Sequence, residues 1–298
     1  MVTDDRKNNK ELEKVMRIKS TLFTAGAALA VAVVAVLSLG AYPRTSQQES
    51  DYALGKKVYD TYCASCHGMN GDGNGPDAVL MSQKPCDFRD GVYQFRSTPR
   101  GELPLKSDII YTLEHGVRTT AMLPQLQLSH QEMEAVAGYV MSFSDKFKLE
   151  PAPVAIPIPA APPKTDELVK EGKHLFMNAC AVCHGTDGEG DGPVARYLKD
   201  YKGRPIMPAN LTVRPLRQAN TPEELYKRIA TGLNGTPMAG FNNAFTHKQI
   251  WSLVDYIESI ASVNEAYGKN GPELVGEEVI GKDVDPSAYE AWVKKGMK

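Results

Sequence analysis

The stretch of sequence that decides the fold occurs twice, as Cys63-Ala-Ser-Cys66-His67 and Cys180-Ala-Val-Cys183-His184. The copies lie 117 residues apart and hold four of the five cysteines in the 298-residue chain. Two cysteines and an adjoining histidine form the attachment signature of c-type haem, in which the thiols bond the porphyrin and the histidine faces the iron. The chain is therefore predicted to carry two covalently bound haem c groups. The predicted attachment residues are Cys63, Cys66, Cys180 and Cys183, and the predicted iron ligands are His67 and His184.

Other uses of paired cysteines fit this pattern less well. A redox Cys-x-x-Cys needs no following histidine, and it usually sits beside a βαβ pattern that this sequence lacks. A single zinc site would need its two cysteine pairs much closer than the 113 residues that separate them here. Structural disulfides would leave the two histidines and the repeat unexplained.

The repeat extends well beyond the cysteine motifs. Gly55 and Gly172 each stand eight residues before the first cysteine of their copy, and Ser129 and Thr246 keep the same 117-residue shift. Apolar residues recur at helical spacing after Ser129 and Thr246, and no segment shows a convincing strand alternation. The pattern predicts a mainly α-helical protein with two tandem helical domains. The predicted helix N-caps are Ser50, Ser129, Thr165 and Thr246.

One methionine in each copy stands where it can complete the coordination of an iron. Met122 follows His67 by 55 residues, and Met238 follows His184 by 54, each after a turn that contains glycine. A lone methionine is more often core filler than ligand, but the repeat selects these two of eleven at equivalent places. We predict Met122 and Met238 as the sixth iron ligands, a choice that raises the reduction potential.

Other residues are candidates for supporting the haems. Pro85-Cys-Asp-Phe88 in the first copy matches Pro208-Ala-Asn-Leu211 in the second. We expect a backbone carbonyl near each of these prolines to accept the Nδ1 proton of the haem histidine and orient its ring. Arg96, Arg214 and Arg217 are candidate partners for haem propionates.

A long uncharged run lies near the N-terminus, from Ser20 to Tyr42. As a helix it would rise roughly 34 Å, enough to cross the hydrocarbon core of a bilayer. The basic segment before it favours a cytoplasmic N-terminus, which puts the rest of the chain on the outer, periplasmic side. We predict a single-pass anchor in the cell inner membrane. A cleaved secretory signal ending at Ser38-Leu39-Gly40 is the alternative.

Composition divides the remaining chain. The segment from 150 to 164 holds six prolines in fifteen residues, which predicts a semi-rigid spacer. The formal net charge of −2 gives no sign of a nucleic-acid partner. The predicted segments are a cytoplasmic basic segment at 1–19, the transmembrane anchor at 20–42, a first haem domain at 50–149, the linker at 150–164, a second haem domain at 165–262 and a C-terminal tail at 263–298.

From Ser50 to Ala261, these motifs and the methionine turns resemble class I cytochrome c domains in tandem. The layout is similar to membrane-anchored dihaem cytochromes of bacterial respiratory chains, including dihaem subunits of haem–copper oxidases and of quinol-oxidising complexes. The resemblance implies electron transfer, as a subunit of a respiratory complex or as a tethered shuttle between a quinol-oxidising complex and a terminal oxidase. It also implies redox proteins as partners and no catalytic residues. The segment from Gly91 to Lys106 is an insertion relative to the shortest family members.

A dihaem enzyme, such as a peroxidase or a sulfur-compound oxidase, is the alternative function. It would need an iron with a vacant or displaceable position, which two methionine ligands do not readily offer. Cys86 or His115 in place of Met122 would lower the potential and change the chemistry. Cys86 stands where Ala209 stands in the repeat, so we expect a small buried residue there and not a ligand.

Overall fold

The computed structural model of the protein describes residues 45–214, 216–219 and 221–263. The predicted anchor at 20–42, the basic segment before it and the C-terminal tail beyond Val263 lie outside these residues. Within the described ranges, no helix is both long enough and apolar enough to cross a bilayer. The described residues from Ser50 onward belong to one compact unit, which contains both halves of the repeat.

Helices are the main regular structure of both halves, as the sequence predicts. Those of the first half are α1 (Ser46–Tyr62), α2 (Ala64–His67), α3 (Lys106–His115), α4 (His130–Met141) and α5 (Lys146–Leu149). Those of the second half are α6 (Asp166–Ala179), α7 (Ala181–His184), α8 (Pro222–Thr231) and α9 (His247–Ile260). Short 3₁₀ turns lie at Pro76–Leu80, Phe88–Asp90 and Ala195–Tyr197. The sequence did not predict the small parallel strand pair, β1 (Val213–Arg214) and β2 (Ser262–Val263).

Three of the four predicted N-caps are confirmed. The side-chain oxygens of Ser129, Thr165 and Thr246 each accept a hydrogen bond from the backbone N–H three residues later. The prediction for Ser50 is wrong, because α1 begins a turn earlier. There the hydroxyl of Thr45 accepts a hydrogen bond from a backbone N–H at 3.3 Å and satisfies a donor that the first helical turn leaves free.

The first and last long helices of each half cross at a glycine. Gly55 on α1 lies against the backbone of Ala135 on α4, where an added Cβ would sit 2.7 Å from the carbonyl carbon. Gly172 on α6 meets the backbone of Ser252 on α9 in the same way. Because glycine has no side chain, the two helix backbones touch at these points.

Each half has its own hydrophobic core beneath this crossing. In the first core the Tyr59 ring lies 5.4 Å from that of Tyr139. Phe176 takes the equivalent place in the second core and lies 5.2 Å from Tyr256. The two cores are thus built on the same aromatic contact between the crossing helices.

The proline-rich linker is bonded to both halves. Ile156 and Ile158 pack against the second core, and the carbonyl of Pro159 accepts a hydrogen bond from the Trp251 indole at 3.1 Å. The backbone N–H of Ile156 donates to the carbonyl of Ser97 in the first half at 2.8 Å. The linker is therefore packed on both domains.

Charged side chains also join the two halves. Lys202 of the second half donates to Asp87 at 2.6 Å and lies 2.7 Å from a carboxylate oxygen of Asp90. The Tyr201 hydroxyl donates to Asp90 at 2.7 Å. Asp87 is buried, and hydrogen bonds from Arg89 and Lys202 lower its pKa to about 2. Asp87 is therefore held ionised against the cations that surround it.

The helix crossing yields a stability test. Gly55→Ala places a methyl group into the backbone of α4, so we expect the free energy of unfolding of the haem-loaded protein to fall by about 2 kcal/mol. Gly138→Ala on α4 is the matched control, since its nearest neighbours would lie at 3.9 Å. There the better helix propensity of alanine should raise stability by about 1 kcal/mol. Denaturant titration followed by circular dichroism measures both, and equal effects would contradict the close crossing.

Candidate haem sites

In each half, the residues that the sequence singles out line a cavity. The first, of about 260 Å³, is lined among others by Cys63, Cys66, His67 and Met122. The second, of about 250 Å³, is lined among others by Cys180, Cys183, His184 and Met238. The structure therefore brings together, in each half, two thiols, one imidazole and one thioether that lie far apart in sequence.

Each haem histidine is oriented by a backbone carbonyl. The Nδ1 atom of His67 lies 3.2 Å from the carbonyl oxygen of Cys86, and that of His184 lies 3.0 Å from the carbonyl oxygen of Ala209. A carbonyl only accepts, so Nδ1 must carry the proton, and Nε2 keeps a lone pair for a metal. The prediction of a carbonyl near each proline is confirmed.

Burial shifts the pKa of several of these groups. It lowers the pKa of His67 and His184, which favours neutral imidazoles. It also raises the pKa of Cys63 and Cys180 to about 12. The reactive thiol of a redox pair has a lowered pKa, and Cys63 and Cys180 are shifted in the opposite direction.

The two methionines sit in loops of the same construction. We call Gly116–Met122 the first Met loop and Gly232–Met238 the second. In the first, the N–H of Val117 donates to the carbonyl of Met122 at 2.7 Å, and the N–H of Met122 donates to the Thr120 hydroxyl at 3.1 Å. These bonds hold the methionine backbone in a closed turn.

The second Met loop repeats both bonds. The N–H of Leu233 donates to the carbonyl of Met238 at 3.1 Å, and the N–H of Met238 donates to the Thr236 hydroxyl at 3.1 Å. Gly116 and Gly232, which open the two loops, share a φ of +64°, a conformation that favours glycine. The equivalence predicted from the repeat therefore extends to individual hydrogen bonds.

The polar and apolar groups of the cavities fit a c-type haem. Thiols, imidazole and thioether are the donors that such a group uses. The first cavity is also lined by Tyr93, whose buried hydroxyl has no hydrogen-bond partner among the residues that the structure describes. A buried polar atom needs a partner, so this hydroxyl suits an acceptor inside the cavity, such as a haem carboxylate.

The two cavities differ beside the histidine. The ring of His67 stacks on Phe88 with centroids 4.5 Å apart and planes inclined by 19°. Leu211, which lines the second cavity, stands at the position that matches Phe88. Both histidines therefore bond a backbone carbonyl in the same way, but the phenyl ring that stacks on His67 is replaced by leucine at the matching position beside His184.

Some lining residues were not found from the sequence. Gln94 and Phe95 line both cavities, so the inserted segment forms a wall that the two sites share. Tyr201, Arg204 and Asn234 of the second half line the first cavity. No repeat or motif marks these residues, because they act across a domain boundary.

The three candidate arginines have different surroundings. Arg217 lines the second cavity. Arg96 lines neither cavity and is buried against backbone carbonyls of the second half. Arg214 also lines neither cavity, and its guanidinium bonds Glu258 at 3.3 Å. Only Arg217 is thus placed to meet a group inside a cavity.

Cys86 and His115, the residues that would change the chemistry, have partners of their own. The Cys86 thiol lies 3.5 Å from the carbonyl of Val92, and burial raises its pKa to about 12. His115 stacks on Tyr111 at 3.9 Å and is absent from the residues that line the first cavity. Cys86 lines the first cavity together with His67 and Met122, but its thiol is directed to a backbone carbonyl.

Comparison with known proteins agrees with these sites. The chain is similar to a chain of the Kuenenia stuttgartiensis reducing HAO-like protein complex Kustc0457/Kustc0458, with 36% identity and a TM-score of 0.68. The match covers 70% of this chain and 96% of that one.

Curated relatives include oxidase subunits. The cbb3-type cytochrome c oxidase subunit CcoP of Helicobacter pylori strain 52 is 23% identical over 71% of this chain and 59% of its own length. The cbb3-type cytochrome c oxidase subunit FixP of Sinorhizobium medicae strain WSM419 is 26% identical over 48% of this chain and 42% of its own length. The chain thus spans about half the length of these relatives.

The family model named cytochrome c matches the chain twice, at residues 52–144 and 169–261. Each match contains a Cys-x-x-Cys-His motif and the Met loop of the same domain. Two such domains carry two covalently bound c-type haems. This chain is therefore a member of the cytochrome c family with two haem domains in tandem.

Proposed function

We propose that this protein is an electron relay without substrate chemistry of its own. In the proposal, Cys63 and Cys66 bond the first haem, and its iron is held between His67 and Met122. The second haem is bonded by Cys180 and Cys183, and its iron is held between His184 and Met238. Each haem supplies one-electron chemistry by cycling between ferric and ferrous iron.

One observation carries this proposal. Each cavity is lined by a histidine whose Nε2 is free to bind and by a methionine from a separate loop. Two protein ligands would occupy both axial positions and leave none for a substrate. Methionine opposite histidine also raises the potential, which suits a relay that accepts and passes on electrons.

The residues around the iron ligands support the same role. The Thr120 and Thr236 hydroxyls accept hydrogen bonds from the methionine backbones and fix the turns that present the two thioethers. Apolar side chains make up most of the two linings, which suits a haem that changes its charge with little rearrangement around it. A relay gains from both features, because small rearrangements accompany each change of charge.

We propose that this chain exchanges electrons with other subunits of a larger protein complex. The similar solved chain belongs to an HAO-like protein complex, and the curated relatives are subunits of cbb3-type oxidases. These similarities favour a subunit of a respiratory complex over a tethered shuttle. A dihaem peroxidase or sulfur-compound oxidase is the less favoured function, since neither Cys86 nor His115 takes the place of Met122.

For the location we propose the inner membrane with the haem domains on the periplasmic side. The proposal rests on the uncharged run at 20–42 and on the basic residues at 1–19 that precede it. The domain boundaries at 50–149 and 165–262 are proposed on the repeat. The linker at 150–164 and the tail at 263–298 complete the chain.

The axial ligands are tested with carbon monoxide, which binds ferrous haem only at an open position. The wild-type protein should bind it only weakly, because the methionine must first leave the iron, and Met238→Ala should bind one molecule per chain tightly at the second haem and lower that haem's potential. Met122→Ala should do the same at the first haem. Optical titration, with pyridine haemochrome counting to confirm that both haems stay attached, measures the effect.

Exposed methionines outside the cavities are the matched controls. Met177→Ala in the second domain and Met69→Ala in the first should leave carbon monoxide binding at the wild-type level. Binding by the wild-type protein as tight as that of Met238→Ala would favour the enzyme, because it would reveal an open iron.

The anchor is tested on the protein purified from membranes. We expect intact mass spectrometry to find Met1 or Val2 at the N-terminus, and we expect the protein to need detergent. Under those conditions, partner subunits should copurify. An N-terminus near Ala41 would instead show a cleaved signal and a released cytochrome.

The role of Cys86 separates the relay from the enzyme in a second way. Cys86→Ala should leave the optical spectrum and both midpoint potentials unchanged, because the thiol is engaged with the carbonyl of Val92. It should also leave the migration on non-reducing gels unaltered. A shift in either potential would place the thiolate among the ligands.

A further inference from the structure

Each Met loop receives a hydrogen bond from the other domain. The carbonyl of Gly116 accepts from Nε2 of Gln218 at 3.0 Å, and the carbonyl of Gly232 accepts from Nη1 of Arg96 at 3.2 Å. Gly116 and Gly232 are equivalent in the repeat, and each donor lies in the opposite half of the chain. The contact is therefore made in both directions at matching places.

The two donors are buried where they meet these carbonyls. Arg96 is 0% exposed and Gln218 is 1% exposed. Arg96 also donates to the carbonyl of Thr231 at 3.0 Å, so its charge caps the C-terminal end of α8, where a cation is favoured. Burying such polar groups is unfavourable unless they are bonded, which makes the contacts specific to this arrangement.

Further side chains strengthen each contact. Arg100, from the same inserted segment as Arg96, donates to the carbonyls of Thr236 and of Met238 itself, the former at 2.8 Å. In the other direction, Nε of Arg217 donates to the hydroxyl of Thr119 at 2.8 Å. Each Met loop is thus bonded at two or more points by the opposite domain.

We propose that the domain interface is a reciprocal clamp on the two Met loops. Arg96 and Arg100 of the first domain position the second Met loop. Gln218 and Arg217 of the second domain position the first Met loop. These four are positioning residues, and the inference rests on the proposed function, in which both methionines bind iron.

The clamp makes the ligation of each haem depend on the other domain. A Met loop that loses a cross-domain bond leaves its methionine free of the iron more often. Loss of a hydrogen bond from a charged donor should raise that methionine-free population about tenfold. The effect therefore appears in the domain that does not carry the substitution.

The test uses the full-length protein with both haems. In Arg100→Ala, whose side chain is exposed, we expect carbon monoxide binding by the second haem to rise about tenfold while the first haem is unchanged. Gln218→Asn, which suits the φ of +44° at this position but is too short to reach Gly116, should act on the first haem instead. Carbon monoxide titration measures the populations.

Spectroscopy assigns each effect to a domain. In the ferrous protein, proton NMR resolves the ring-current-shifted methyl signal of each iron-bound methionine, identified by its loss in Met122→Ala or Met238→Ala. Arg100→Ala should weaken the Met238 signal alone. Arg100→Lys, which keeps the charge and a donor, should restore part of it. Lys57→Ala is the control for loss of an exposed charge in the same domain.

The experiment distinguishes failure of the clamp from failure of the ligand assignment. An effect of Arg100→Ala confined to the first haem, equal in both haems or absent from both would overturn the clamp. If Met122→Ala and Met238→Ala themselves leave carbon monoxide binding unaltered, the ligand assignment fails, and the clamp fails with it. If those variants bind carbon monoxide and Arg100→Ala does not, only the clamp is wrong.

Discussion

A hydrogen bond from an imidazole Nδ1 to a backbone carbonyl orients the haem histidine in each domain. His67 uses the carbonyl of Cys86, and His184 uses that of Ala209. Because the acceptor takes the proton on one ring nitrogen, the other nitrogen is left to bind metal, and the ring cannot rotate without losing the bond. The rest of the domain supports this contact: the crossing helices place the cysteine motif, and the Met loop faces it across the cavity.

The two domains share this chemistry but not all of its surroundings. Tyr59 donates its hydroxyl to the carbonyl of Gly68 at 2.7 Å, whereas its counterpart Phe176 has no hydroxyl. His67 stacks on a phenyl ring, and the residue that matches this phenylalanine in the second domain is Leu211. The two cavities therefore differ in packing and in hydrogen bonding, which is a physical basis for unequal potentials of the haems that they hold.

The sequence predicted most of what is local and repeated. Covalent haem attachment needs its cysteines and histidine at one spacing, and the duplication distinguished Met122 and Met238 from nine other methionines. The sequence did not predict the interface between the two domains. Arg96 was interpreted as a propionate partner, yet it bonds backbone carbonyls of the other domain, and an arginine offers the same donors to either acceptor. Gln94 and Phe95 lie between Gly91 and Lys106, where the first copy is longer than the second, so the repeat gave no guide to them.

The proline-rich linker has a consequence for the timing of electron exchange. Its backbone is bonded to Ser97 in one domain, and its Pro159 carbonyl to Trp251 in the other, so it ties the domains together and cannot act as a hinge. Two domains tied in this way move as one body, and the separation of their cofactors does not vary with the tumbling of a tether. In the proposed relay, electrons would then pass between the haems across a nearly constant distance.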